Sequence, residues 1–175
     1  MSLTTRRTNI FFVKSRGSLP PCPKCGGNLH YRDSRPRIRK KDGGEKQTLM
    51  IRRLRCSNCK SLHNELPDCL VPYKHYESEV ISGVIDGDID PKDDMNEDYP
   101  CEETMKRWIR WFQRNKNNLE GLLQNAARLV LDYKDQSLLY HESLLVSIRN
   151  KYNNCWLEII LRIIYNSGGF LVPCR

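Results

Sequence analysis

The sequence predicts an α+β protein in which a small antiparallel β ribbon is followed by an all-helical bundle. The ribbon is predicted by two Cys-x-x-Cys motifs with a glycine-containing turn signal between them. The bundle is predicted because apolar residues recur at helical spacing from Tyr76 onwards. We therefore expect a basic N-terminal arm over 1–21, the ribbon over 22–75 and a helical domain over 76–175.

The ribbon depends on a predicted β-hairpin. Lys41-Asp42-Gly43-Gly44 is a turn signal because glycine readily adopts the positive φ of tight hairpin turns. A polar, basic stretch over 29–41 precedes this turn, and an unevenly alternating strand over 48–55 follows it. Residues 1–21, which end at Pro20-Pro21, are expected to form a partly flexible arm outside the hairpin.

Five helices are expected in the second part of the chain. Gly87 is a plausible end for the first helix, and an acidic loop over 86–98 separates it from the second. These two helices and their connection form the helix-turn-helix-like segment, which spans 76–115 within the helical domain. The predicted helices cover 77–86, 102–114, 119–131, 136–149 and 156–166.

The charge of the chain is unevenly distributed along the sequence. The net charge of +8 divides into +12 over residues 1–75, −10 over 76–103 and +6 over 104–175. A basic surface attracts polyanions and releases counterions when it binds phosphates. The two basic blocks therefore favour a nucleic-acid partner. The alternative is a solvated surface of Lys and Arg that maintains solubility.

The chain carries eight cysteines and no apolar run of the roughly 20 residues that a membrane span requires. The apolar patch Ile10-Phe11-Phe12-Val13 is shorter than the core of a signal peptide, so we expect a cytoplasmic protein without membrane association. In such a chain, paired Cys-x-x-Cys motifs predict metal ligands rather than disulfides.

Four cysteines form the motifs Cys22-Pro23-Lys24-Cys25 and Cys56-Ser57-Asn58-Cys59, which are 30 residues apart. Zinc prefers four soft ligands in a tetrahedron, and two such turns joined by a hairpin complete a zinc ribbon. The predicted ligands of a structural Zn²⁺ are therefore Cys22, Cys25, Cys56 and Cys59. A closed four-thiolate site has no open coordination position, so the ion is not expected to be catalytic.

Other readings of these cysteines are a redox dithiol pair or an iron–sulfur site. A redox site needs only one Cys-x-x-Cys motif in a thioredoxin-like βαβ context, which the sequence lacks. His30 and His63 lie near the two motifs and are alternative ligands, although four cysteines already satisfy the ion.

Residues 101–114 combine an apolar stripe with basic faces. Met105, Trp108, Ile109 and Phe112 recur at i, i+3, i+4 and i+7 of a helix, which packs on a core while its basic faces enter a DNA groove. The alternative is an amphipathic surface helix with solvated basic residues. The predicted DNA-binding residues are Arg37, Arg39, Lys40, Arg52 and Arg53 of the ribbon and Lys106, Arg107, Arg110 and Arg114 of the helix.

Several segments together resemble a family of small bacterial proteins linked to transposable elements, similar to the N-terminal zinc-ribbon and helix-turn-helix part of transposases. The resemblance covers about residues 20–115 and implies binding to element DNA, with a role in transposition or its regulation. It places the metal ligands at the four paired cysteines and the DNA-reading helix around Lys106–Arg110. Position 101 is Cys where Ser would be expected at a helix cap. The segments are Cys22-Pro23-Lys24-Cys25-Gly26-Gly27, Ile51-Arg52-Arg53-Leu54-Arg55-Cys56, Leu66-Pro67-Asp68, Pro72-Tyr73-Lys74-His75-Tyr76 and Thr104-Met105-Lys106-Arg107-Trp108.

The sequence therefore predicts a zinc-dependent protein that binds double-stranded DNA, as a transposon-associated accessory factor or a transcriptional regulator. We expect no catalytic activity, because the few acidic residues after position 104 lie in helical segments too short for a nuclease core. The first alternative is a zinc-ribbon adaptor for protein–protein interaction. A less favoured alternative is a metal-dependent nuclease or recombinase fragment.

Two further hypotheses concern the acidic loop and the last helix. Acidic residues at 86, 88, 90, 94 and 97 match a calcium-loop register, but Pro91 stands where such loops need glycine, so a solvated loop is preferred. The last helix, 156–166, is apolar enough to lie in the helical core, with a homodimer face as the alternative.

Overall fold

The computed structural model describes residues 2–6, 10–14, 18–93, 100–131, 143–167 and 169, and the chain divides into two compact units, 1–77 and 78–175. All the strands lie in the first unit and all the α-helices in the second, which confirms the α+β class. No helix among the described residues is both long and apolar enough to cross a membrane.

The first unit is built on a five-stranded sheet. β3 and β4 form the predicted hairpin around Gly43 and Gly44, whose φ values are 72° and 74°. Because β3 occupies one edge of β4 along its length, β2 and β5 share the other edge. The strands are β1 (Ser2–Arg6), β2 (Ile10–Lys14), β3 (Leu29–Lys40), β4 (Lys46–Cys56) and β5 (Leu62–Asn64).

The N-terminal residues differ from the predicted separate arm. β2 pairs in parallel with Thr48–Met50 of β4, so the sheet is mixed rather than antiparallel throughout. Val13 of β2 is buried against Leu49 and Ile51. Removing these apolar side chains from water stabilises the pairing, which explains why the run Ile10–Val13 belongs to the sheet.

The buried face of β4 changes between Ile51 and Leu54. Since side chains alternate across a strand, residues 49 and 51 lie on one face and residues 54 and 56 on the other. A register shift between Tyr31 and Asp33 of β3 occurs at the same level. One hairpin therefore supports two apolar clusters, one formed by Val13, Leu49, Ile51 and Leu70 and the other by Cys22, Leu29, Leu54 and Cys56.

The second unit contains α1 (Ser78–Asp86), α2 (Glu102–Leu131), α3 (Leu144–Tyr152) and α4 (Trp156–Asn166). Gly87, with φ of 89°, follows α1 as predicted. α2 is one helix of 30 residues, so the predicted break between positions 114 and 119 was wrong. No Gly or Pro interrupts this stretch, and Phe112 and Leu119 continue the same buried face, which overrides the weak helix propensity of the intervening Asn residues.

The predicted fourth helix over 136–149 lies partly outside the described residues. Its described portion belongs to α3, which begins at Leu144 and extends to Tyr152. The last predicted helix is confirmed as α4, and the apolar side chains on one side of it form part of the core of this unit. These buried side chains are Trp156, Leu157, Ile160, Leu161 and Ile164.

Two carboxylates, one at the end of α1 and one on α2, connect the helices through hydrogen bonds. Asp86 at the end of α1 accepts hydrogen bonds from Arg149 and, at 2.6 Å, from the indole N–H of Trp156. The Arg149 guanidinium lies 5.2 Å and 5.0 Å from the ring centroids of Phe112 and Trp156. These contacts join α1, α2, α3 and α4 at one point.

Glu120 of α2 caps the start of α3. Its carboxylate accepts hydrogen bonds from the Ser143 hydroxyl at 2.7 Å and from the amides of Leu144 at 2.9 Å and Leu145 at 3.0 Å. Burial opposes ionisation of Glu120, but these three donors outweigh it and lower its pKa below 4.5. The charged carboxylate therefore satisfies amides that α3 leaves unpaired at its N-terminus.

We expect Glu120→Gln to destabilise the helical unit by about 1–2 kcal/mol, because the amide group replaces a charged acceptor with a weaker one. A group with a lowered pKa in the fold contributes stability above its ordinary pKa of 4.5 and loses it as the pH falls through the lowered value. The difference in unfolding free energy between wild type and variant should therefore shrink on acidification below pH 4.5. Denaturation followed by circular dichroism measures it.

Glu158→Gln is the matched control, because Glu158 pairs with Arg162 on the outside of α4 with 24% and 48% of the side chains exposed. Such pairs contribute about 0–0.5 kcal/mol. Equal losses in the two variants would contradict the capping role of Glu120.

Candidate metal centre

The two Cys-x-x-Cys motifs fold into turns with the same backbone geometry. The amide of Cys22 donates to the carbonyl of Gly27 at 2.8 Å, and the amide of Cys56 donates to the carbonyl of Ser61 at 3.0 Å. In each turn the residue after the second cysteine is left-handed, with φ of 70° at Gly26 and 59° at Lys60. The β3–β4 pairing, which places Leu29 opposite Cys56, brings the two turns together.

The four sulfur atoms form a compact cluster in which every sulfur lies within 4.8 Å of the others. The Sγ atoms of Cys22 and Cys59 are 3.7 Å apart, and those of Cys25 and Cys56 are 3.5 Å apart. None of these cysteines is in a disulfide. Four sulfurs around zinc at 2.3 Å are separated by about 3.8 Å, so the cluster can hold a metal ion and its dimensions are consistent with zinc.

Glycine at position 27 permits the two turns to approach. A Cβ atom at this position would lie 2.7 Å from Nδ2 of Asn58 in the second turn. The backbone N–H of Asn58 in turn donates a hydrogen bond to the sulfur of Cys56 at 3.4 Å. The packing between the turns is therefore part of the support of the cluster.

The surroundings of the sulfurs favour thiolates unequally. Hydrogen bonds from the hydroxyl and amide of Ser61 lower the pKa of Cys59 to about 6. The Gly27 amide favours the thiolate of Cys25, but contacts with the sulfurs of Cys56 and Cys59 raise the pKa of Cys25 to about 11. Four thiolates at this separation repel one another, and a bound cation removes that repulsion.

His63 on β5 lies beside the cluster. Its Nε2 is 3.3 Å from the sulfur of Cys22, which places the imidazole against one predicted ligand. The four-cysteine group identified among the described residues includes neither His63 nor His30, and His30 is exposed on β3 opposite Arg55. Sequence spacing placed His63 near the second motif, but only the β4–β5 pairing brings it to the first.

Three of the five basic residues predicted to bind DNA on the ribbon have carboxylate partners. Arg52 binds Glu65 through two hydrogen bonds of 2.5 Å and 2.7 Å, and Arg53 binds Asp33 through two of 2.5 Å. Arg39 is paired with Glu77, and both side chains are largely buried. These bidentate or buried pairs hold the sheet and its connections together.

The other two predicted ribbon residues have no carboxylate partner among the described residues. Arg37 donates to the carbonyl of Lys74 at 2.9 Å. Lys40 lies 4.8 Å from the ring centroid of Tyr76. Sequence reasoning missed a third such cation, Arg35, because only the strand register shows that it shares a face with Arg37.

The predicted DNA-reading residues lie in the first four turns of α2. Lys106 pairs with Glu102 at 2.6 Å, and Arg110 pairs with Glu103. Arg107 and Arg114 are exposed. Of the apolar stripe, Met105, Trp108 and Phe112 are buried, as predicted.

The acidic loop is described up to residue 93, so the remainder of the predicted calcium register lies outside the described residues. Its first position, Asp86, is occupied by the contacts with Arg149 and Trp156. This finding gives Asp86 a structural role within the helical unit.

We expect Cys56→Ser to lose bound metal, because the weaker hydroxyl ligand replaces one of four thiolates. Metal content measured by inorganic mass spectrometry should fall from one ion per chain to well below one. Cys101→Ser is the matched control, since Cys101 is exposed at the start of α2, where serine is the better cap. Unchanged metal content in Cys56→Ser would refute the assignment of the cluster.

Gly26→Ala should destabilise the first unit by about 1–2 kcal/mol, because an alanine at φ of 70° is strained although nothing lies within 4 Å of its Cβ. Gly121→Ala is the control, because a Cβ at position 121 also meets nothing within 4 Å. Gly121 lies within α2, where alanine is more favourable than glycine by about 1 kcal/mol. Calorimetry of the two variants should show shifts of opposite sign. A loss of stability in both would contradict the backbone argument.

In a comparison with known proteins, one family model matches part of the chain. Residues 22–108 match the family described as "Domain of unknown function (DUF6431)". No curated protein and no solved structure matches the chain. The matched segment begins at Cys22 and contains the whole cysteine cluster, the Pro72–Tyr76 segment, α1 and the first turns of α2.

Proposed function

We propose that this protein is a zinc-dependent DNA-binding protein, an accessory factor or regulator associated with a mobile element, without catalytic activity of its own. The observation that carries the proposal is the four-sulfur cluster at the end of a hairpin rich in unneutralised cations. Zinc bound by the four thiolates would supply folding energy to a unit whose described residues form two small apolar clusters.

The positive charge that carboxylates do not neutralise on the first unit supports a polyanionic partner. Its carboxylates pair with Arg32, Arg39, Lys41, Arg52 and Arg53, and seven further cations have no carboxylate partner among the described residues. Phosphates are the counterions that such a surface concentrates. The seven cations are Lys24, Arg35, Arg37, Lys40, Lys46, Arg55 and Lys60.

The basic side of α2 offers a second contact surface. The pairs Lys106–Glu102 and Arg110–Glu103 have about half of each side chain exposed, and exposed pairs contribute only about 0–1 kcal/mol. Their cations are therefore free to exchange carboxylate for phosphate. We propose that α1 and α2 act as a helix-turn-helix-like reader of duplex DNA, with the first turns of α2 in the groove.

Three acidic side chains of the helical unit have structural contacts of their own and do not form a cluster with one another. Asp86 connects helices, Glu120 caps α3, and Glu158 pairs with Arg162 within α4. A two-metal nuclease needs carboxylates that converge on a pair of ions. The association with a mobile element rests on the resemblance of the segments within 22–108 to transposase N-terminal parts.

The test is fluorescence anisotropy of metal-loaded protein with a short random-sequence DNA duplex at several salt concentrations. We expect affinity to fall linearly with salt on a double-logarithmic plot, with a slope of about −0.9 for each phosphate contacted. The double variant Lys46→Glu/Arg55→Glu should reduce that slope, because both side chains are exposed and lack a carboxylate partner among the described residues. Arg110→Glu/Arg114→Glu tests the α2 surface in the same way.

Lys92→Glu is the matched control for each of the four substitutions made singly, since it reverses one positive charge at an exposed position in the acidic loop. It should leave the salt slope unchanged. A metal-loaded protein without salt-dependent affinity for DNA would refute the proposal, as would full affinity in Cys56→Ser.

A further inference from the structure

The turn between the sheet and α1 displays an aromatic ring to solvent. Tyr73 is left-handed, with φ of 65°, and 69% of the residue is exposed. Left-handed backbone is uncommon for a bulky residue, and such conformations cluster where a side chain has a function. Within the described residues, the Tyr73 side chain has no hydrogen bond or ring contact that would explain its placement.

One arginine of β3 contacts this turn, and a second lies two residues from it along the strand. The Nη2 atom of Arg37 donates to the carbonyl of Lys74, the residue after Tyr73, at 2.9 Å. Arg35 is two residues away on the same strand and therefore on the same face. Their partners on the neighbouring strand β4 are Ile51 and Leu49. Because both are apolar, neither arginine has an acidic residue directly opposite.

These two arginines have unused hydrogen-bonding capacity. The Nε atoms of Arg35 and Arg37 are buried and have no hydrogen-bond partner among the described residues. Burial, with a smaller contribution from the charge of Arg35, lowers the pKa of Arg37. Because these Nε atoms are buried, an external anion would be bound through the Nη groups, where it would offset the repulsion between the two like charges.

The arrangement contrasts with the other arginines of the same sheet. Arg39, Arg52 and Arg53 each meet a carboxylate. Arg35, Arg37 and Arg55 meet none among the described residues, and Arg37 is the one that donates to the turn carrying the exposed tyrosine. A guanidinium that contacts the turn carrying an exposed aromatic ring, with a second guanidinium two residues along the strand, supplies the two kinds of group with which proteins bind a phosphate and its neighbouring unpaired base.

We infer that Arg35 and Arg37 hold a backbone phosphate of a single-stranded nucleic acid while Tyr73 stacks on an adjacent base. A single strand is required because the bases of a duplex are stacked on one another and offer no free face to tyrosine. This inference deepens the proposed function and rests on it: the ribbon would bind nucleic acid where strands are separated. Arg39, Arg52 and Arg53 remain structural.

The test compares a single-stranded oligonucleotide containing 2-aminopurine with its duplex, in wild type and in Tyr73→Gly. Glycine adopts the left-handed turn without strain, so the variant keeps the fold and loses only the ring. We expect single-strand affinity to fall by about 5- to 150-fold, the effect of removing one stacked base contact, while duplex affinity stays within about twofold. Quenching of 2-aminopurine fluorescence should disappear together with the ring.

Tyr73→Phe should retain both affinity and quenching, because stacking needs the ring and not the hydroxyl. Tyr31→Gly is the matched control, since Tyr31 is also exposed, at 58%, on the same unit. Arg35→Gln/Arg37→Gln should weaken single-strand binding and lower its salt slope. Metal content verifies that each variant is folded at the cysteine cluster.

Equal single-strand affinity in wild type and Tyr73→Gly would overturn the inference, and intact duplex binding would then leave the proposed function standing. If neither single-strand nor duplex affinity fell as salt was added, the proposed function itself would be refuted. Binding of a phosphorylated peptide but not of the oligonucleotide would also overturn the inference. The same oligonucleotide made as RNA distinguishes the two kinds of single strand.

Discussion

The close approach of four sulfur atoms is the constraint on which the first unit depends. Two turns of identical backbone geometry bring these atoms within 4.8 Å of one another, although 30 residues separate the motifs. Thiolates at such distances repel, so the arrangement is stable as a charged site only around a cation. The β3–β4 hairpin aligns the turns, and the contact between Gly27 and Asn58 depends on that alignment.

The basic residues of this unit divide into two groups by their partners. Arg53 pairs with Asp33 across the β3–β4 hairpin, and Arg39 and Arg52 pair with Glu77 and Glu65 outside the strands, so carboxylates neutralise all three. Arg35 and Arg37 lie on the same strand without such partners among the described residues. A count of Lys and Arg cannot distinguish cations that a carboxylate neutralises from those whose charge is available to a polyanion.

The helical unit has a different basis. Its core contains large apolar side chains from all four helices, and two carboxylates, Asp86 and Glu120, satisfy donors between them. α2 serves two purposes at once, since one face is buried through Met105, Trp108 and Phe112 while the opposite side carries exposed cations. A buried face holds the helix rigid, which is what a nucleic-acid contact on the exposed side would require.

The sequence by itself determined the elements whose signals are local. The paired cysteines, the Asp-Gly-Gly turn and the apolar spacing of α1, α2 and α4 follow from backbone and ligand chemistry within a few residues. The tertiary structure alone decided the parallel pairing of β2, the continuity of α2, the position of His63 against Cys22 and the partners of each arginine. These features depend on contacts between residues distant in the chain, and such contacts arise from packing and strand register, which no short segment encodes.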